Sequence, residues 1–88
     1  MVDLVIEMGI TAMENGVVIF EVEPWVHVTV DDWAEDFSWT ITQFEFRQIG
    51  PKASDARVFV GPEHPFFLSM CTYLSSDTLV DILESRLL

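Results

Sequence analysis

Apart from hydroxyls, carboxylates and the single lysine, the side chains that could serve as a nucleophile or general base are His27, His64 and Cys71. Covalent or acid–base catalysis needs a nucleophile within hydrogen-bond reach of a base that is itself oriented by a third group. These three are widely separated in the chain, and none stands in the local signature of a cysteine hydrolase. His27 alternates with Trp25 in an extended stretch and reads as a structural histidine. His64 lies between Pro62 and Pro65 and reads as a turn or capping residue, while Cys71, beside Met70 and near Tyr73, reads as a small core residue. No enzyme is expected.

Asp31, Asp32, Glu35 and Asp36 offer the oxygen ligands that hard cations favour. They lack the ordered spacing and the glycine of a calcium loop, so no dedicated metal site is expected. There is no CxxC, no HExxH, no phosphate-cradling glycine loop and no GxGxxG. Zinc, nucleotide and dinucleotide cofactors therefore have no support.

The carboxylates themselves remain as chemistry. The 88 residues carry 15 Asp and Glu against 4 Lys and Arg, a formal charge of −11, on a background that is 50% hydrophobic. Residues 1–46 hold ten of the acids and no Lys or Arg, whereas residues 47–88 hold five acids and all four bases. Ten carboxylates without a local counter-charge repel one another and cost stability, more than solubility asks of a small domain. Direct binding to nucleic acid or to an anionic membrane is excluded on sign, since both need a basic surface.

Acids at alternate strand positions, such as Glu21 and Glu23, stand about 6.8 Å apart. Asp77 and Asp81 on a helix are separated by about 6 Å of rise. Such rows present negative charge at intervals similar in scale to successive phosphates, so a basic groove built for nucleic acid would accept them and release the same counterions. The segment from Asp31 through Asp32, Trp33, Glu35 and Asp36 to Trp39 adds aromatic faces that hold Lys and Arg by cation–π contact. As a helical turn it would pair Asp31 with Glu35 and Asp32 with Asp36, each like-charge pair costing about 0.2–0.5 kcal/mol. The bland alternative is that Trp33, Phe37 and Trp39 plug the core while the acids point to water.

These residues must be carried by one small domain, 1–88. Eleven aromatics are too many for a disordered acidic tail, and a chain this short has one core and little room for a deep cleft. A single cysteine permits no intrachain disulfide and suggests a reducing interior. The first residues have no basic run before a short apolar stretch, unlike a signal peptide, and no stretch reaches the length of a membrane span. The expected location is cytoplasmic.

Residues 2–7 alternate and predict a strand with one buried face. Glu14-Asn15-Gly16 is a turn signal, followed by strands over 17–23 and, past Pro24, over 25–30 with Val26, Val28 and Val30 on one side. Residues 31–36 predict a loop or one helical turn with Asp31 as N-cap. Strand character returns over 39–49, with aromatics on both faces, which implies a bulge or two-sided burial. A connection over 50–56 and a short strand over 57–60 follow. Beyond Gly61-Pro62 the period lengthens: Pro65 can open a helix over 66–74, and Ser75 or Ser76 can cap a second with Leu79, Ile82, Leu83 and Leu87 on one face. The fold class is α+β, a small antiparallel sheet of four or five strands with two C-terminal helices on one face.

In bulk character, tiny, very acidic, aromatic-rich and free of disulfides, the chain is similar to the phage-encoded DNA-mimic inhibitors that act against restriction, CRISPR or repair enzymes. The resemblance is one of composition and rests on no motif. It implies a non-enzymatic inhibitor that occupies a basic, nucleic-acid-binding protein or complex in the host cytoplasm. Glu21, Glu23, Asp31, Asp32, Glu35 and Asp36 would supply the charge, with Trp33 and Trp39 as anchors. The alternative is a structural or adaptor subunit that forms a homodimer or joins a larger assembly through its aromatic surface.

Overall fold

The computed structural model describes residues 2–31, 38–47 and 57–87. Among the described residues, six strands, β1 (Val2–Glu7), β2 (Ile10–Glu14), β3 (Val17–Val22), β4 (Trp25–Asp31), β5 (Ser38–Arg47) and β6 (Arg57–Val60), precede α1 (Pro65–Tyr73) and α2 (Ser76–Leu87). β1, β4, β5 and β6 form one antiparallel sheet in the order β1-β4-β5-β6, and β2 pairs with β3. The α+β class holds: a four-stranded antiparallel sheet with two C-terminal helices, plus the β2–β3 hairpin. The strand β2 is an addition to the sequence reading, which placed the turn but not the arm before it.

The two sheets are one long ribbon. The antiparallel register that pairs Val2 with Val30 and Glu7 with Trp25 resumes without a slip at Ile10 opposite Val22. Between them Met8 N–H donates to Pro24 O at 3.3 Å. Pro24 has no N–H to offer in return, so the ladder is interrupted at that rung. At the far end Asn15 (φ 53°) and Gly16 (φ 79°) both occupy the left-handed region. That is the two-residue turn whose twist suits a hairpin, and Asn-Gly enters it at low cost.

Two bulges set which residues face the helices. In β3 the register passes from Phe20 opposite Ala12 to Val18 opposite Met13, leaving Ile19 as the extra residue. With Ile19 inserted, Val2, Leu4, Ile6, Met8, Ile10 and Ala12 face inward together with Phe20, Val22, Pro24, Val26, Val28 and Val30, all buried or half-buried. In β5 the register passes from Gln43 opposite His27 to Ile41 opposite Val28, leaving Thr42 extra. Trp39 and Ile41 before the bulge, and Phe44 and Phe46 after it, therefore point to the same inner side and meet the core. This is the bulge that aromatics on both faces of the strand implied.

The core joins Ile6, Met8, Ile10, Val26, Val28, Val30, Phe44 and Val60 from the sheet to Met70, Leu74, Leu79 and Leu83 from the helices. Each fully buried aliphatic or aromatic side chain here contributes about 1.5–3 kcal/mol of burial free energy. α1 opens as expected, with Pro65 in the first turn and His64 Nδ1 accepting from Phe66 N–H at 3.1 Å. His64 is thus a capping residue. Ser75 caps α2: its Oγ accepts from Thr78 N–H at 3.3 Å. The helices meet at 82°, with Leu79 and Leu83 buried and Asp77, Asp81 and Glu84 in water. An aromatic cluster fastens the hairpin to α1, Phe20 lying 5.1 Å from Phe66 and 5.7 Å from Tyr73 between ring centroids, both edge-on.

Candidate functional site

The inner face of the sheet is spent on packing, which leaves the outer face as the chemically distinctive surface. Because inward and outward residues alternate along the whole ribbon, Asp3, Val5, Glu7, Thr11 and Met13 point outward from β1 and β2. Glu21, Glu23, Trp25, His27, Thr29 and Asp31 do so from β3, the break after it and β4. Five carboxylates, those of Asp3, Glu7, Glu21, Glu23 and Asp31, thereby share one side of a ribbon that contains no Lys or Arg.

A sixth carboxylate on this face is handled differently. Glu45 sits opposite Trp25 on one side and Phe59 on the other, and only 3% of it is exposed. His27 Nε2 lies 3.0 Å from its Oε1, with Phe59 edge-on to the imidazole at 6.2 Å. Burying a carboxylate is tolerable only when its oxygens find partners, and His27 supplies one for Oε1. A histidine–carboxylate pair is two members of a catalytic triad, but the neighbouring Thr42 Oγ1 donates its hydrogen to the backbone oxygen of His27 at 3.2 Å. That hydroxyl caps a bulge rather than pointing at a base.

Beside this pair the outer face sinks into a depression of about 280 Å³ lined by Asp3, Leu4, Val5, His27, Val28, Thr29 and Thr42. Thr42, the extra residue of the β5 bulge, lines it together with His27. Thr29 Oγ1 donates to Asp3 Oδ1 at 2.7 Å across β1 and β4 and fixes the carboxylate on its rim.

Of the residues singled out in the sequence, Glu21 and Glu23 are exposed on the ribbon, and Asp31 is half-buried at the end of β4, its carbonyl accepting from Ser38 Oγ at 3.2 Å. Trp39 packs against the core on the inner face, the opposite side of the sheet from Asp31, so the two do not form one surface. Asp32, Trp33, Glu35 and Asp36 lie outside the described residues, as does the expected connection over 50–56. Sequence reasoning passed over Asp3, Glu7 and Glu45. The first two were legible as the outward positions of an alternating strand; Glu45 was not, because only the register brings it under His27, Trp25 and Phe59.

Cys71 is half-buried on α1, and burial pushes its thiol above the ordinary value, away from thiolate chemistry. Among the described residues no three His, Cys, Asp or Glu side chains converge on a metal position. Nor is any described helix long and apolar enough to cross a membrane by itself. No protein-family model matches this chain, and comparison with curated proteins and with solved structures gives no significant match.

Proposed function

We propose that the protein is a non-enzymatic inhibitor that docks its acidic ribbon into the basic, nucleic-acid-binding surface of another protein or complex and excludes DNA or RNA by charge mimicry. The observation that supports this reading is the gathering of Asp3, Glu7, Glu21, Glu23 and Asp31 on one outward face of residues 2–31, a stretch whose sequence contains no Lys or Arg. Electrostatic docking of this kind depends steeply on salt, because counterions are released from both partners. The target class that the bulk resemblance suggests is a restriction or CRISPR nuclease.

The test is displacement of labelled DNA from a guide-loaded CRISPR nuclease and from a restriction endonuclease over a salt series. Release of DNA, with an apparent affinity that falls on the order of tenfold or more between about 50 and 200 mM salt, is the expected result. Failure to displace DNA from either enzyme, or capture indifferent to ionic strength, overturns the proposal.

A second reading has its own observation. At the hairpin end Met13, Val17, Val18 and Ile19 are 50–64% exposed, an apolar tip on a two-stranded sheet with no further strand paired to it among the described residues. Such a tip suits a subunit that self-associates or enters a larger assembly. Light scattering at several concentrations separates the two readings, since a stable oligomer that ignores basic proteins supports the second.

A further inference from the structure

We infer that the depression between β1, β4 and β5 is a subsite for a single guanidinium group, the side chain of one arginine on the protein that the ribbon engages. The inference rests on the proposed docking role and states which chemistry the partner must offer at one point of the surface.

The hydrogen bonds around the depression decide the ligand class. A threonine hydroxyl has one hydrogen to give and two lone pairs to receive with. Thr29 gives its hydrogen to Asp3 at 2.7 Å, and Thr42 gives its hydrogen to the carbonyl of His27 at 3.2 Å. Both hydroxyls therefore turn only acceptor lone pairs toward a ligand. Asp3 adds a carboxylate with lone pairs still free, and its orientation is held by Thr29. A site rimmed with acceptors and one negative charge repels anions and leaves a ligand hydroxyl's lone pairs unmatched. It suits a cation that donates in several directions and accepts in none.

Arginine meets this description better than lysine. Its planar guanidinium offers five N–H donors in a fixed fork and is weakly hydrated, whereas the lysine ammonium is a compact, strongly hydrated point charge. The outward side chain of Val5, on the depression's lining, suits the aliphatic stem below such a head group. Size agrees. At about 280 Å³ the depression falls just below the ~300–1,000 Å³ usual for small-molecule sites, a scale suited to one side chain.

The experiment titrates the full chain with N-acetyl-arginine methylamide and follows backbone amide shifts by NMR, with the N-acetyl-lysine and N-acetyl-glutamate methylamides as parallel probes. Saturable shifts confined to residues 3–5, 27–29 and 42, at least about threefold weaker for lysine and absent for glutamate, are expected. Asp3→Asn keeps a side chain that can still accept from Thr29 but removes the charge, and should weaken arginine binding about tenfold or more. Thr29→Val, which frees the carboxylate to rotate, should weaken it severalfold while the spectrum elsewhere stays native. Diffuse or unsaturable shifts, equal response to lysine, or an Asp3→Asn variant that binds as before overturns the subsite. If arginine fails here while the ribbon still displaces DNA from a basic nuclease in a salt-dependent manner, only the subsite falls. If arginine binds and no displacement occurs, only the mimicry falls.

Discussion

The Nε2 of His27 lies 3.0 Å from the Oε1 of Glu45, and this contact holds a carboxylate that is 97% removed from solvent on a face where the other described acids are exposed or half-exposed. Glu45 is therefore a structural acid, and the ribbon carboxylates are the ones available to a partner.

Removing the buried carboxylate deletes a charge-assisted hydrogen bond and leaves space between Trp25 and Phe59. Glu45→Ala should cost about 1.5–3 kcal/mol in urea unfolding. Glu45→Gln, which keeps the volume and an acceptor oxygen, should cost less. Equal stability of wild type and Glu45→Ala would contradict the structural role given to this pair.

The turn at Asn15-Gly16 is the only place in the described backbone where a side chain is refused on conformational grounds. A Cβ added at Gly16 meets nothing within 4 Å, so the cost of Gly16→Ala comes from its φ of 79° alone. A loss of about 1–2 kcal/mol is expected in thermal or urea unfolding.

Tyr73 is the chain's single tyrosine, and its hydroxyl donates to Glu14 Oε1 at 3.0 Å. That hydrogen bond favours the neutral phenol and, with desolvation and the nearby negative charge, raises its pKa above the ordinary value. A raised folded value means that stability from this contact is complete below the unfolded phenol's pKa and is lost as pH climbs through the folded one. Ultraviolet titration of the phenolate should show a midpoint above about 10 that moves back toward it in Glu14→Gln.

Charge on the ribbon face is expected to oppose folding while it serves binding. Glu7→Gln, Glu21→Gln and Glu23→Gln combined should stabilise the fold by about 0.2–1 kcal/mol at low salt, with the gain shrinking as salt is added. The same triple variant should lose salt-dependent displacement of DNA from its target. Stability that falls on neutralisation would mean these acids hold the fold together, and the docking role would lose its support.

Much of the molecule was legible in the residues. Alternation along 2–7 and 25–30, the Asn-Gly turn, Pro24 as a break, Pro65 and Ser75 at helix starts and the leucine spacing of α2 are local signals, each set by backbone sterics or by a period of two or 3.6. They determined the α+β class, the two helices and a negative ribbon. What only the tertiary structure decided was register. A two-residue turn without the bulge at Ile19 would set Glu21 opposite Ile10 and turn Glu21, Glu23 and Asp31 toward the helices. With the bulge, all three join Asp3 and Glu7 on the outer side. The bulge at Thr42 likewise sends Trp39 inward to the core and brings Glu45 under His27. A side chain's face changes with every one-residue slip, and the slip is chosen by how much apolar surface the whole sheet can bury against α1 and α2, which no local window of the sequence contains.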